Sequence, residues 1–180
     1  MENVIIRNVK EEDLKQVAEI KVKGWKEAYK GMIDDSYLRA LNIDEQIEKF
    51  IQRYHQSNTG FIVAELENKV VGFSRYINNN VFSPDIKEVD CELLALYVFP
   101  SMKGNGIGKE LFNYVKNEFI KQNKEKMILW CLEENYLSRK FYEKMGGKLG
   151  TKRKIKIGEK SYSEVSFIYN LQKEDEIKWN

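Results

Sequence analysis

The chain has 180 residues, of which 42% are hydrophobic and 32% are charged, and its formal net charge is +2. This length and composition predict one folded domain and exclude a disordered chain, and so small a charge excess argues against nucleic-acid binding as the main role. We therefore expect residues 1–171 to form a single domain and residues 172–180 to form a short charged tail.

The sequence contains no apolar segment typical of a signal peptide and none with the length needed to span a bilayer. We therefore expect a cytoplasmic protein with no membrane contact. Cys91 and Cys131 are too few for a disulfide framework or a cysteine-based zinc site, and the single His55 cannot build a metal site alone. The sequence predicts no metal.

Two helices are predicted to follow a short N-terminal strand. Residues 4–9 are rich in β-branched side chains, and the acidic residues after them suit the positive N-terminal end of a helix. Apolar residues at helical spacing continue until Gly31 interrupts the pattern. Asp34 or Asp35 can then cap a second helix whose approximate apolar face extends to Tyr54.

A hairpin and a further strand are predicted next. Residues 61–64 and 70–77 are strand-like runs on either side of a short polar turn, which is typical of an antiparallel hairpin. A polar loop over residues 78–85 leads to a third run at residues 89–98. This strand should end at Pro100, because proline cannot donate a hydrogen bond to a sheet ladder.

Three alternating glycines follow that strand, and a helix follows the glycines. Gly104, Gly106 and Gly108 precede apolar residues that recur at helical spacing over residues 107–120. Glycine destabilises a helix or strand, so three glycines in so short a stretch indicate that the backbone itself has a role there. The unpaired amides of a helix N-terminus bind phosphate, and a backbone without Cβ atoms lets a diphosphate approach. The structural alternative is a tight turn only.

The glycine loop fails to match two common phosphate-binding patterns. A Walker loop would require a glycine at Lys103 and a serine or threonine at Glu110. A dinucleotide-binding loop would require a third glycine at Lys109 or Leu111. Binding of GTP or NAD is therefore disfavoured.

The C-terminal half predicts a strand, a helix and a closing hairpin. Residues 127–132 form a nearly continuous apolar run, which is typical of a strand buried on both faces. The helix that connects this run to the strand before the glycines makes the two strands parallel. Apolar residues four apart predict a helix over residues 135–145, and residues 148–171 alternate about a Gly-Glu turn as a hairpin does.

The residues around the glycine loop resemble those of the GNAT family of N-acetyltransferases. The resemblance rests on the strand end Leu96-Tyr97-Val98-x-Pro100, the loop Lys103-Gly104-Asn105-Gly106-Ile107-Gly108 and the later Asn135-x-x-Ser138-x-x-Phe141-Tyr142-Glu143-Lys144-x-Gly146. The order of the predicted elements also fits from end to end. Lys103 stands where the family usually has glutamine or arginine, which keeps a donor and a charge but loses the planar fork.

This resemblance implies a single-domain α/β fold, with a mixed, mostly antiparallel central sheet and helices on both faces. It also implies that the two strands on either side of the glycine helix splay apart and that acetyl-CoA binds in the gap. The residues implied in binding acetyl-CoA are strand backbone groups, the glycine loop and groups of the last helix: Leu96, Tyr97, Val98, Lys103, Gly104, Asn105, Gly106, Ile107, Gly108, Lys109, Asn135, Ser138 and Tyr142.

The resemblance further implies two catalytic side chains. Tyr142 resembles the family's general acid, because a phenol within reach of the sulfur can protonate a departing thiolate; the alternative is a core aromatic pair of Phe141 and Tyr142. Glu92 lies where several family members have a glutamate that accepts the amine proton, and it can equally be a structural carboxylate. Asn135 can cap the last helix, contact the pantetheine arm, or do both.

On this resemblance we expect a transferase that moves the acetyl group from acetyl-CoA directly to a primary amine of a small molecule or peptide. A non-catalytic acyl-CoA-binding or regulatory module on the same fold is the alternative. Asp34, Asp35 and Glu92 are expected near the acceptor and favour one that arrives as a cation, whereas the basic run at residues 152–156 favours an anionic one if it lines the same opening. The sequence leaves open both the acceptor and the choice between monomer and homodimer.

Overall fold

The computed structural model describes residues 4–79, 83–86 and 88–171. The strands within these ranges are Ile5–Asn8 (β1), Thr59–Leu66 (β2), Lys69–Ile77 (β3), Cys91–Val98 (β4), Lys126–Leu132 (β5), Lys148–Ile157 (β6) and Lys160–Asn170 (β7). They form one sheet in the order β1-β2-β3-β4-β5-β7-β6. The tail predicted at residues 172–180 lies outside the described residues.

Helices cover both faces of this sheet. The α-helices are Leu14–Ala28 (α1), Asp35–Ala40 (α2), Ile43–Tyr54 (α3), Ile107–Lys121 (α4) and Tyr136–Lys144 (α5). Short 3-10 turns at Glu11–Asp13 and Pro100–Met102 precede α1 and the glycine loop. In the described ranges, none of the helices combines the length and the apolar character that a bilayer-spanning segment needs.

The strand directions confirm the predicted mixed sheet. β4 and β5, which α4 connects, are parallel, and every other pair of neighbouring strands in the described sheet is antiparallel. The closing hairpin joins the sheet through its second strand, so that β7 lies between β5 and β6. The closing hairpin therefore lies on the side of β5 that faces away from β4.

The single helix predicted up to Tyr54 is wrong, because the chain forms two helices there. Leu41 and Asn42 have extended backbones, and the side chain of Asn42 accepts a hydrogen bond from the amide of Asp44 at 2.7 Å. This side chain satisfies an amide at the start of α3 and stabilises a new helix start within an otherwise helical apolar pattern. Asp34 caps α2 in the same way.

Two apolar cores lie on opposite faces of the sheet. On one face α4 buries its apolar stripe, in which Leu111 and Phe112 are fully buried. On the other face α1 and α3 cover an aromatic cluster in which the rings of Phe50 and Phe73 lie 5.5 Å apart. A third cluster, including Leu38 of α2, joins the α1–α2 segment to the closing hairpin. Apolar packing therefore stabilises the sheet on both faces.

Candidate active site

The parallel strands β4 and β5 separate after three paired residues. Their pairing ends with Leu93 opposite Leu129, although β4 continues to Val98 and β5 to Leu132. On its other edge, β4 pairs Leu93 and Ala95 with consecutive residues of β3, so that Leu94 is an unpaired bulge residue. A bulge bends the strand and increases its local twist. The gap implied by the family resemblance therefore begins at this bulge.

Two residues of β4 direct their backbone groups into the gap. The amide of Phe99 donates a hydrogen bond to the carbonyl of Val71 in β3, at 2.8 Å. Because backbone groups alternate in direction along a strand, those of Tyr97 also face β3, whereas those of Leu96 and Val98 face the gap. Leu96 and Val98 can therefore hold an extended ligand arm through their backbone groups. The backbone of Tyr97 faces β3 instead, and its side chain packs on the face of the sheet that α1 and α3 cover.

The glycine loop lies next to the gap. Gly104 and Gly106 have φ angles of +85° and +82°, which strain any residue with a Cβ atom, and a Cβ at either position would meet no atom within 4 Å. The open space leaves the backbone accessible. Gly108 differs, because a Cβ there would contact Phe141 and Val98 at 3.7 Å. Two of the three glycines therefore provide the exposed backbone that a diphosphate requires.

The first turn of α4 supplies the donors. The amide of Glu110 donates to the carbonyl of Gly106 at 3.1 Å, so the amides of Ile107, Gly108 and Lys109 have no acceptor within the helix. Such amides at the positive end of a helix form a phosphate site. The residues present therefore fit the diphosphate of acetyl-CoA.

Two polar side chains beside the glycines have exposed partners. Nζ of Lys103 donates to Oε1 of Glu27 at 2.8 Å, and Nδ2 of Asn105 donates to the carbonyl of Met102 at 3.2 Å. Both are surface interactions, which are weak. Lys103 and Asn105 can therefore exchange these partners for a phosphate group.

Tyr142 lies close to both strands of the gap. Its ring packs against Phe141 and Phe167, with centroid separations of 5.3 and 5.9 Å, and its hydroxyl makes no hydrogen bond with a described residue. Burial raises the pKa of the Tyr142 phenol well above its usual value, and the nearby Cys131 and Tyr97 raise it further. The phenol therefore stays protonated at neutral pH, as a proton donor must.

Asn135 adopts the predicted capping geometry. It is 4% exposed, and its Oδ1 accepts a hydrogen bond from the amide of Ser138 at 3.1 Å at the start of α5. The cap uses the carbonyl end of the side chain. The Nδ2 end remains available for a second partner, so the two roles considered for Asn135 are compatible.

A cleft of about 840 Å³ lies beside the gap. Its lining comes from α1, α3, the inner strands and the closing hairpin, with Glu92, Tyr97 and Trp130 among the residues exposed to it. Asp34 and Asp35 are absent from the described residues that line this cleft. Asp34 instead caps α2 and forms an ion pair with Lys160, which holds the pKa of that carboxyl well below its usual value.

Glu92 lines the cleft and is 3% exposed. Its Oε2 accepts a hydrogen bond from Oγ of Ser83 at 3.1 Å, and that Oγ accepts one from Nε1 of Trp130 at 2.8 Å. Burial raises the pKa of the Glu92 carboxyl, while Ser83 and Arg153 act in the opposite direction. A carboxylate in this setting accepts a proton more readily than one in water.

Arg153 also lines the cleft and is already paired. Its guanidinium lies 3.8 Å from the ring centroid of Trp130, and its Nε donates to Oε1 of Glu164 at 2.5 Å.

Within the described ranges, no group of three histidine, cysteine, aspartate or glutamate side chains is arranged to hold a metal ion.

The cleft also contains basic side chains that sequence reasoning missed. Lys21 of α1, Arg53 of α3 and Arg75 of β3 all line the cleft. Nζ of Lys21 donates to the hydroxyl of Tyr97 at 3.3 Å, and Nε1 of Trp25 donates to the same hydroxyl at 2.8 Å. No local pattern could reveal this group, because its members are separated in sequence by more than twenty residues at each step.

A profile of the acetyltransferase (GNAT) family matches residues 25–147, from α1 to the end of α5. The chain belongs to the GNAT acetyltransferase family. Among curated relatives, an uncharacterized N-acetyltransferase of Archaeoglobus fulgidus is 28% identical over 137 residues, which cover 76% of this chain and 88% of that protein. Family membership makes this protein an acyltransferase.

Solved structures of GNAT proteins share the fold. The PaiA N-acetyltransferase of Thermoplasma acidophilum, in complex with coenzyme A, has a TM-score of 0.68 and 21% identity over 90% of this chain and 98% of its own. A putative acetyltransferase of Salmonella typhimurium, YncA, with its cofactor acetyl-CoA, has a TM-score of 0.68 and 18% identity over 95% of both chains. These similarities confirm the predicted fold class.

Proposed function

We propose that this protein binds acetyl-CoA and transfers the acetyl group directly to a primary amine. The supporting observation is that the unpaired amides of α4 lie at the same end of the sheet as the gap between β4 and β5. An anion site and an open strand edge are the two features that a diphosphate followed by an extended, hydrogen-bonding arm requires.

The protein groups around the gap have separate tasks in binding. The amides of Ile107, Gly108 and Lys109 receive the diphosphate, and the exposed Lys103 adds a positive charge. Leu96 and Val98 offer backbone donors and acceptors to the pantetheine arm. A backbone amide of β4 near the thioester can also stabilise the negative charge that develops on its oxygen.

Two side chains move the protons. Glu92 accepts a proton from the incoming ammonium, directly or through water, which leaves the neutral amine that attacks the thioester carbon. Burial suits Glu92 to this role, because it raises the pKa of the carboxyl. Tyr142 donates its phenolic proton to the sulfur as the carbon–sulfur bond breaks. The attacking nitrogen loses a second proton, which restores the Tyr142 phenol, and Glu92 releases its proton to water. The products are an amide and free coenzyme A, and the acetyl group passes directly between them with no acyl-enzyme.

An amine screen tests this proposal. Purified protein is incubated with acetyl-CoA and a panel of small and peptide-borne primary amines, and release of free thiol is followed together with acetyl-CoA binding by calorimetry. We expect micromolar to millimolar binding and amine-dependent thiol release. Acetyl-CoA binding without thiol release for any amine would support the non-catalytic acyl-CoA-binding module instead.

A further inference from the structure

Three basic side chains from separate elements line the cleft. We define Lys21, Arg53 and Arg75 as the basic cluster. Glu92 and Glu164 are the acidic residues among the described residues lining the cleft, and they interact with Ser83 and Arg153 respectively. The basic cluster therefore has no acidic partner within the described lining of the cleft.

Arg75 is the most constrained member of the basic cluster. It is 8% exposed, its Nε is buried without a hydrogen-bond partner among the described residues, and its Nη2 reaches only Oε1 of Gln56, at 3.5 Å. A guanidinium has five donor hydrogens, and leaving them unmet in a buried site is costly. Burial lowers the pKa of Arg75 to about 10, and the charge of Arg53 contributes to this shift.

Lys21 is in a similar position on the facing helix. Its Nζ lies 3.9 Å from the ring centroid of Trp25 and has the hydroxyl of Tyr97 as its hydrogen-bond partner. Burial lowers the pKa of the Lys21 ammonium well below its usual value, and the charges of Arg53 and Arg75 lower it further. A bound anion would relieve both the repulsion and the unmet donors.

We propose that the basic cluster binds an anionic group of the acceptor, so that the acceptor is an amine that also carries a carboxylate or a phosphate. This inference rests on the proposed transfer to an amine. It replaces the purely cationic acceptor favoured by Asp34 and Asp35, neither of which lines the cleft. It keeps Glu92 as the group that receives the ammonium.

The register of β3 and β4 favours a small acceptor. Ile77 pairs with Glu92, and Ile77 and Arg75 lie two residues apart on the same face of β3. Two residues along a strand span about 6.6 Å between Cα atoms, so the side chains of Glu92 and Arg75 start from neighbouring positions on one face of the sheet. An acceptor small enough to lie within this one cleft, such as an α-amino acid or phosphoethanolamine, is therefore favoured over a long chain.

Matched acceptor pairs test the proposal. Thiol release from acetyl-CoA is measured with leucine against leucinamide and with phosphoethanolamine against ethanolamine, with rates corrected for the fraction of neutral amine. We expect kcat/KM to favour the anionic member of at least one pair by about tenfold or more. The pair that shows the preference identifies the anion as a carboxylate or a phosphate. Equal or better use of both neutral members would overturn the proposal.

Variants assign the preference to the basic cluster. Arg75→Gln, Lys21→Met and the less buried Arg53→Gln should each lower the ratio of kcat/KM between anionic and neutral members by about ten- to a hundredfold, mainly through KM. Lys121→Gln removes an exposed, paired lysine of α4 and serves as the control. Because the result is a ratio within one protein preparation, partial unfolding does not imitate it. An unchanged ratio in all three variants would overturn the assignment.

Calorimetry separates failure of this inference from failure of the proposed function. Leucine and phosphoethanolamine are titrated into the full chain with coenzyme A present. If no amine releases thiol but an anionic amine binds, and Arg75→Gln abolishes that binding, the transfer reaction is overturned while the anion site is supported. If amines react but anionic and neutral members bind and react alike, the anion site is overturned while the transfer reaction is supported.

Discussion

The hydroxyl of Ser83 donates a hydrogen bond to Oε2 of Glu92 at 3.1 Å, within a site where the carboxylate is almost completely buried. Two opposing effects act on this carboxylate. Burial raises the pKa of Glu92, and the hydrogen bond from Ser83 lowers it. Ser83 therefore adjusts how readily Glu92 accepts a proton, and its removal should be visible in the dependence of activity on pH.

Ser83→Ala should shift the acidic limb of the kcat/KM–pH profile toward higher pH. The carboxylate loses a donor that stabilises its charged form, so the pKa of Glu92 rises further, by about 0.5–1 unit for one hydrogen bond. The shift is measured with one amine acceptor in both proteins, so that titration of the acceptor is common to them. Ser74→Ala is the control, because this buried hydroxyl donates to the carbonyl of Ala95. A profile that does not move would exclude Glu92 as the titrating base.

Glu92→Gln should lose activity at neutral pH and gain stability there. The pKa of Glu92 in the folded protein is raised above the usual value of 4.5, mainly by burial. The neutral form therefore contributes stability below the unfolded pKa, and this contribution is lost as the pH rises through the folded pKa. Glutamine keeps the side chain neutral throughout the range.

The free energy of unfolding of the Glu92→Gln variant is measured by denaturant at pH 7 and at pH 4. We expect the variant to be more stable than the original protein at pH 7 and the difference to shrink at pH 4. A variant that is destabilised at pH 7 but fully active would identify Glu92 as a structural carboxylate.

Gly106→Ala should weaken acetyl-CoA binding by about tenfold or more, because the strained backbone and the new methyl group both disturb the amides that we propose receive the diphosphate. Gly31→Ala is the matched control. Gly31 has a φ angle of +76°, and a Cβ atom there would meet no atom within 4 Å, as at Gly106. Alanine should therefore cause similar backbone strain at both positions. Affinities are compared by calorimetry. Equal loss of affinity in the two variants would assign the effect to strain alone.

Tyr142→Phe should lower kcat by about ten- to a thousandfold with little change in acetyl-CoA affinity, since only the hydroxyl is removed. Tyr169→Phe is the control, because the hydroxyl of Tyr169 donates a structural hydrogen bond to the carbonyl of Tyr142 at 2.8 Å. We expect the Tyr169→Phe variant to have a lower free energy of unfolding but to keep a kcat close to that of the original protein. Turnover is measured under conditions where acetyl transfer limits the rate. An unchanged kcat for Tyr142→Phe would assign Tyr142 to packing.

Local patterns in the sequence determined most of the secondary structure and the glycine loop. The apolar stripe of α4, the end of β4 before Pro100 and the cap at Asn135 all depend on residues close together in the chain, so spacing and residue type predict them. The glycine loop was predictable for the same reason, because a positive φ angle and an exposed backbone are local requirements.

Only the tertiary structure decided how the cleft is charged and where it opens. The bulge at Leu94 and the insertion of β7 beside β5 follow from the pairing of strands far apart in sequence. Lys21 and Arg75 come together because α1 packs across β3. The sequence of neither segment indicates this contact. The sequence by itself thus determined the elements and the exposed glycine loop, whereas long-range packing decided which charges line the cleft.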